Sequence, residues 1–476
     1  MKKIILVLLL LDGIFSTAQS IQPVFPIPTK EQLAWHEKEF YLFIHFGPNT
    51  FTDKEWGEGN ERPDVFNPTQ LDCNQWVRIA KKAGAKGIIL TAKHHDGFSL
   101  WPSKYSTHTV KQSKWMDGKG DVVKALATAC KKENLEMGVY LSPWDRNHPK
   151  YGTPEYNDIY IATMQELLQQ YGPFFEFWWD GANGEGPNGK KQVYDFRRFE
   201  AAAFKTQPGL IIFSDIGPSI RWCGNENGFI GNTNWNLLDT AGFARGHGAP
   251  PTDTLNQGNY NGKNWIPAEA DVSIRPGWFY HPEEDGKVKT PAQLFNIYLR
   301  SVGNGGNLLL NVPPDRRGLF HPADSAALMG FAEMRKKAFQ KDLFLNAKLS
   351  TNDVQKDGLS KLVDQNINTF WNAASDKDVD ILISLPKVTS LNTISLEEMI
   401  SYGQRVINFS IEYLKDGQFE KIYSGTTIGR KKIASFPAIQ TDKIKIVIHK
   451  TKAPVVLRNI SAYLIEDLLN YVKIGH

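Results

Sequence analysis

Gly87-Ile88-Ile89-Leu90-Thr91, a helical pattern from Asp121 to Lys132, and Glu136-Met137-Gly138-Val139-Tyr140-Leu141 follow one another as strand, helix and strand. Both strand segments are nearly continuous apolar runs, which is what parallel strands covered on both faces require. The helix between them carries Val122, Leu126, Ala129 and Cys130 at three- and four-residue steps, which gives it one apolar side. The same unit recurs outward in both directions. Strand-like runs stand at Tyr41 to His45, Phe174 to Trp179, Gly209 to Ser214, Ala270 to Ile274 and Asn307 to Val312. Helical patterns stand at Gln70 to Ala83, Pro154 to Tyr171 and Ala323 to Gln340. Repeated strand–helix units predict an α/β fold with a parallel sheet. No Gly-x-Gly-x-x-Gly or Walker loop opens any of the helices, so a nucleotide-binding open sheet is poorly supported. The expected fold is therefore a closed (β/α)₈-like barrel.

The pattern changes near residue 340. Of the 13 Trp, only Trp371 lies beyond it. The later runs, Asp380 to Leu385, Asn408 to Tyr413, Asp442 to Ile448 and Val455 to Ile460, are β-branched and mostly alternating, with turn residues between them. They predict a C-terminal β-sandwich. The expected division is a barrel over 21–342 and a sandwich over 347–466. Ahead of both, Met1-Lys2-Lys3 precedes eight apolar residues, Ile4 to Leu11, and a small polar stretch, Ser16 to Ser20. Residues 1–20 read as a secretory signal peptide, too short to span a bilayer, so the expected location is periplasmic or secreted.

Composition narrows the function. The 476 residues are 41% hydrophobic and 22% charged, which excludes a disordered or disulfide-scaffold chain. The formal net charge of +4 comes with no basic stripe, so a nucleic-acid partner is not expected. No later run is long and apolar enough for a membrane span. Cys73, Cys130 and Cys223 are an odd count without paired spacing and are expected as buried thiols. Aromatic residues make up 12% of the chain, a surplus that suits the flat C–H faces of sugars.

A barrel places its chemistry at the C-terminal ends of its strands. Those ends read His45, then His94-His95-Asp96, then Tyr140 and Trp144, then Asp180. Glu226 follows the fifth of these runs, and Arg275 and Trp278 follow the sixth. Asp180 ends a buried strand before Gly181, so it is either a helix cap or a carboxylate nucleophile on a rigid element. Glu226, in a glycine-bearing loop, is either a surface residue or the partner acid, because two carboxyls on one rim can divide nucleophile and acid roles. His45, His94 and His95 could donate to substrate hydroxyls, serve structure, or hold a metal. Adjacent histidines on a strand point to opposite faces, and no His-x-His or His-Glu-x-x-His spacing is present, which weakens the metal reading.

Phe43-Ile-His-Phe-Gly47, Lys93-His-His-Asp-Gly-Phe98, Phe177-Trp-Trp-Asp-Gly181 and Gly306-Asn-Leu-Leu-Leu-Asn-Val312 resemble the signature segments of family 29 glycoside hydrolases, the α-L-fucosidases. The resemblance implies a retaining enzyme with no metal and no organic cofactor, acting on fucosylated oligosaccharides or glycoconjugates. It implies Asp180 as nucleophile. The loop Arg221-Trp-Cys-Gly-Asn-Glu-Asn-Gly228 is similar to that of the α-1,3/1,4-selective subfamily, whose Glu is the acid/base, here Glu226. The same resemblance places substrate binding on His45, Glu55, Trp56, His94, His95, Tyr140, Arg275 and Trp278. Leu362 to Trp371 is similar to the opening of discoidin-like (factor 5/8 C-type) modules, which implies a sugar-binding or bracing domain. It also implies a structural Ca²⁺ near Asp364, Asn366 and Thr369. The alternatives are a catalytically inactive carbohydrate-binding protein on the same barrel and a metal hydrolase using His45, His94 and His95.

Overall fold

The computed structural model describes residues 21–345 and 347–468, so the expected signal peptide lies outside the described residues. Eight parallel strands close into a barrel: Phe40–Ile44, Gly87–Lys93, Glu136–Leu141, Glu176–Trp178, Ile211–Ser214, Ile220–Trp222, Ala268–Ser273 and Asn307–Asn311. Each pairs with its sequence neighbour, and the first pairs with the eighth through Phe40↔Leu308 and Leu42↔Leu310. The sixth strand, Ile220–Trp222, was not expected from the sequence. As a result Glu226 follows the sixth strand, while Arg275 and Trp278 follow the seventh. Only residues 215–219 link the fifth strand to the sixth, with no helix between them. The link suffices because Ile220 pairs with Phe213, almost at the level where the fifth strand ends.

Outer helices form where side chains cap their ends. Asp121 accepts the N–H of Lys124 at 2.8 Å and starts Val122–Glu133, which ends at Asn134 in the left-handed region (φ 54°). Asp72 caps Cys73–Lys82, Asp195 caps Phe196–Thr206, and Thr290 forms a capping box with Gln293 at Pro291–Ser301. Glu155–Tyr171 and Pro322–Ala338 complete the ring, within two residues of their expected ends. Cys73, Cys130 and Cys223 are all buried free thiols.

The N-terminal end of the barrel is closed by helix Lys30–His36. Gln32 Nε2 donates to the carbonyls of Ser219 and Trp265 at 2.7 and 2.8 Å. Trp35 Nε1 donates to Tyr41 Oη and Glu176 Oε2, both at 2.9 Å. Glu176 and Glu269 face each other inside the barrel, and burial pushes both carboxyls above the usual range.

Residues 348–463 form an antiparallel unit around a separate apolar core that includes Trp371, Ile381, Ile394, Ile446 and Ile460. Its two 20-residue strands, Val379–Glu398 and Lys432–Thr451, pair with each other along most of their length, with register shifts, in one seven-stranded antiparallel sheet. Val379–Ser384 pairs with Lys348–Thr351 on one side, while Thr393–Glu398 pairs with Val456–Tyr463 further along. The unit meets the barrel through an ion cluster. Arg458 and Arg430 reach Glu37 at 2.8 and 2.9 Å, Arg430 reaches Glu39 at 3.2 Å, and all of them surround buried Glu397 with Lys431. Burial opposes the Glu397 charge, but these cations hold its carboxyl down to about 2. Glu39 immediately precedes the first strand, so the cluster sits at the end of the barrel away from the rim. In the discoidin-like motif, Asp364 accepts the Thr369 hydroxyl at 2.8 Å and the Asn366 N–H at 2.8 Å, so the three residues implied as Ca²⁺ neighbours bond to one another.

Candidate active site

The rim encloses a cavity of about 180 Å³ lined by Phe43, His45, Glu55, Trp56, His94, His95, Tyr140, Trp178, Asp180, Ala182, Glu226, Asp271 and Trp278. Nine of the ten sequence-predicted site residues are therefore brought together. Arg275 is not. A larger groove of about 780 Å³ runs along the barrel flank past Tyr194, Phe196 and Phe243, and it contains none of the predicted residues.

Asp180 follows Trp179 at the end of the fourth strand and is held from two sides. Its Oδ1 accepts the Ala182 N–H at 2.7 Å, and its Oδ2 accepts the Tyr140 hydroxyl at 2.9 Å. His95 Nε2 lies 3.8 Å from the same Oδ2. The carboxylate is thus oriented by short donors while remaining partly open to the cavity. Beneath it, Trp178 stacks on Phe213 with ring centroids 4.0 Å apart, and its Nε1 donates to Glu269 at 2.9 Å. Asp215 lies beside Asp180, and burial together with the Asp180 charge pushes its carboxyl up to about 6.

The three histidines share one wall. His45 Nδ1 and Asn311 Oδ1 are 2.9 Å apart, and His95 Nδ1 and Ser142 Oγ are 2.7 Å apart. The His94 and His95 ring centres are only 4.1 Å apart, so both reach the cavity. The opposite-face rule fails here because a register shift between Thr91 and Lys93 ends regular pairing, and both histidines lie beyond the strand. Burial lowers His45 to about 3, against a small upward pull from Asn311. Burial likewise lowers His94, aided by its histidine neighbours, and lowers His95 against the attraction of Asp180. All three are neutral rings at physiological pH, each able to donate one N–H and accept at the other nitrogen. Among the described residues no group of three or more His, Cys, Asp or Glu is arranged to hold a metal ion.

Glu226 stands on the loop after the sixth strand, exposed, with Oε2 accepting Trp278 Nε1 at 3.2 Å. Trp278 also faces His45, with ring centres 5.1 Å apart. Its backbone is fixed by Glu55, whose Oε2 accepts the Trp278 N–H at 2.8 Å and whose Oε1 accepts the Phe279 N–H at 3.1 Å. His281 Nε2 lies 2.7 Å from the same Oε1. Trp56, 57% exposed, sets its edge against His95 and Trp144 at 5.7 and 5.6 Å. It forms an exposed aromatic lip at the cavity.

Arg275 corrects an expectation. Its guanidinium is fully buried, with Nε bonded to both Asp324 oxygens at 3.0–3.1 Å and Nη1 paired with Asp285 at 3.0 Å. The Tyr280 ring lies 4.7 Å away. It fastens the loop to helix Pro322–Ala338 rather than reaching the cavity. Asp271 is the residue that sequence reading missed. It sits inside the seventh strand, and a strand buried on both faces hides which of its residues point into the barrel.

The sequence profile described as Alpha-L-fucosidase matches residues 27–337, and that described as F5/8 type C domain matches residues 346–460. Alpha-L-fucosidase 1 of Arabidopsis thaliana is 40% identical over 452 residues, covering 93% of this chain and 88% of that protein. The crystal structure of SpGH29 superposes with a TM-score of 0.88 at 37% identity, covering 94% of this chain and 100% of the other. A family 29 glycoside hydrolase fucosidase of Ruminococcus gnavus, solved in complex with fucose, superposes with a TM-score of 0.87 at 30% identity, covering 96% and 98%.

Proposed function

The chain belongs to the α-L-fucosidase family of glycoside hydrolases, and on that premise we propose that it is an exported, retaining α-L-fucosidase releasing terminal α-1,3/1,4-linked fucose from branched, Lewis-type glycans. The carrying observation is that Asp180 and Glu226 line one small cavity with unlike surroundings. Asp180 is clamped by the Ala182 N–H and the Tyr140 hydroxyl, which fixes its direction of attack. Among the described residues Glu226 is held by Trp278 alone, on an exposed loop where a leaving aglycone oxygen would depart.

In the first step Asp180 attacks the anomeric carbon while Glu226 protonates the leaving oxygen, through an oxocarbenium-like transition state. In the second, water activated by Glu226 opens the fucosyl-Asp180 ester, and configuration is retained. With substrate bound the two carboxyls should lie about 5–5.5 Å apart. Neutral His45, His94 and His95 orient hydroxyls without placing a cation beside the forming oxocarbenium. Trp178, Trp278 and Phe43 supply apolar faces for the sugar ring and its methyl group. The linkage preference rests on the likeness of Arg221 to Gly228 to the selective subfamily, and the periplasmic or secreted location on residues 1–20.

The test is proton NMR of a Lewis-type trisaccharide incubated with the protein. α-L-Fucose appearing before its β anomer is the expected result, and it is absent with Asp180→Ala. Release of β-L-fucose first would overturn the retaining mechanism. Cleavage of an α-1,2-fucosyl substrate alone would overturn the linkage preference.

A further inference from the structure

Four carboxyls line the cavity, and three are accounted for: Asp180 and Glu226 by the reaction, and Glu55 by its bonds to Trp278, Phe279 and His281. The fourth is Asp271. Residues of the seventh strand alternate, with Ala270 and Val272 packing in apolar clusters while Glu269, Asp271 and Ser273 step up the barrel interior. Glu269, the lowest, accepts Trp178 Nε1, and Ser273, the highest, accepts Asn311 Nδ2. Asp271 lies between them, only 3% exposed. Its Oδ1 accepts Trp222 Nε1 at 3.0 Å. Among the described residues no other side chain bonds to this carboxyl, whose further donor is the residue's own backbone N–H, and Asp271 lines the cavity.

We infer that Asp271 contacts the bound fucosyl unit, donating from an Oδ2 hydroxyl to one of the sugar's own hydroxyls while Oδ1 remains bonded to Trp222. The inference rests on the fucosidase reading of the site and adds a contact to it. Position selects the fucosyl unit over the aglycone, because Asp271 lies at the buried floor with Phe43 and Trp178 rather than on the exposed lip with Trp56 and Glu226. The ionisable groups facing it are Glu226 from the loop after the sixth strand, Glu269 below it, and the Cys223 thiol, none of them cationic. Burial, with no cation among these groups to oppose it, therefore holds the Asp271 carboxyl well above the usual carboxylate range. A neutral acid with one oxygen committed as acceptor presents a hydroxyl at the other. Asn in the same pose reproduces both contacts, with Oδ1 accepting from Trp222 and Nδ2 donating to the sugar, whereas Leu reproduces neither.

The test is calorimetric binding of L-fucose and of its 2-, 3- and 4-deoxy analogues to the full chain and to Asp271→Asn and Asp271→Leu. D271N is expected to bind fucose within about threefold of the wild type, and D271L on the order of 10–100-fold more weakly. For one deoxy analogue, lacking the partnered hydroxyl, the gap between wild type and D271L should nearly vanish while it persists for the other two. An equal gap for every analogue would assign the effect to the released Trp222 and overturn the inference, as would D271N binding as weakly as D271L. A wild type that binds fucose but cleaves nothing would overturn the hydrolase reading and leave this contact standing. A wild type that does not bind fucose at millimolar concentration would overturn both.

Discussion

Arg275→Met removes a cation whose whole surroundings are visible. Both Arg275 and Asp324 have side chains at 0% exposure, and Nε holds both oxygens of the carboxylate. Met fills the stem but leaves Asp324 without a counter-charge. Removing one member of a buried pair costs about 3–5 kcal/mol, because the survivor stays desolvated and uncompensated. Its relief is to take a proton. Burial already pushes Asp324 up to about 6 in the wild type, against the pull of Arg275. Without that pull its folded value rises further. For a carboxyl whose folded pKa exceeds the unfolded value of about 3.9, the stability contribution is complete below 3.9 and declines as pH rises through the folded pKa, by about 1.4 kcal/mol per unit. That decline stops near pH 6 in the wild type and continues in the variant. The stability gap should therefore widen by up to about 3 kcal/mol between pH 6 and pH 8. Urea unfolding followed by tryptophan fluorescence at both pH values measures it. KM should change little in the folded variant, since the guanidinium does not line the cavity. A gap that does not grow with pH would refute the argument. So would a folded variant whose KM rises about tenfold, a loss of about 1.4 kcal/mol in binding that would return Arg275 to the substrate.

Tyr140→Phe deletes the 2.9 Å hydroxyl bond to Asp180 Oδ2. A bond to a charged acceptor is worth about 1.5–3 kcal/mol, so kcat/KM should fall about 10–100-fold, and steady-state kinetics showing no loss would remove Tyr140 from the machinery. His45, held down to about 3 by burial, contributes stability that is complete above the unfolded value near 6.5 and is lost as pH falls toward the folded value. Nitrogen-15 NMR of the imidazole should accordingly show a neutral ring down to about pH 4, and titration near pH 6 would contradict the burial argument. Arg458→Met cuts the links to Glu37 and Glu397. It should lower the urea midpoint, with an unfolding free-energy loss below the value of about 3–5 kcal/mol for an isolated buried pair, since Arg430 and Lys431 still face Glu397, while kcat/KM is kept. An unchanged midpoint would argue against a bracing role for the C-terminal unit.

The strands and helices that were legible share one property: their sequence signal is local. Val122 to Glu133 announces itself by Asp121 at one end and by apolar spacing throughout. The sixth strand was hidden because Ile220-Arg221-Trp222 is short and has a charged centre. Arg221 is nevertheless fully buried, its guanidinium satisfied by the carbonyls of Leu255 at 2.7 Å and Trp235 at 3.1 Å. Those partners lie 34 and 14 residues further along the chain, where local pattern cannot see them. Arg275 fails for the same reason, since its partner Asp324 is 49 residues away and a rim position alone does not say which way a long side chain turns. His94 and His95 were legible as site residues but not as neighbours on one wall, because the irregularity that re-aims them is a feature of pairing with the third strand.

The charge distribution fits a barrel so rich in acids to the cationic transition state of the proposed mechanism. Glu176, Glu269 and Asp271 lie in the barrel interior, and burial pushes each above the usual carboxylate range. Acids shifted in this way toward the neutral form accept from Trp35, Trp178 and Trp222 and spread less negative charge across the floor. At Asp180 the Ala182 N–H and the Tyr140 hydroxyl both donate to the carboxylate, and part of it stays solvated. A focused negative charge beside the anomeric carbon stabilises developing positive charge there more than charge dispersed over several distant carboxylates, since the interaction weakens with distance and strengthens where water is excluded. Neutral histidines complete the arrangement: a protonated His95, 3.8 Å from Asp180 Oδ2, would cancel much of that field. The burial that lowers His95 is thus part of what leaves Asp180 free for the nucleophile role proposed for it.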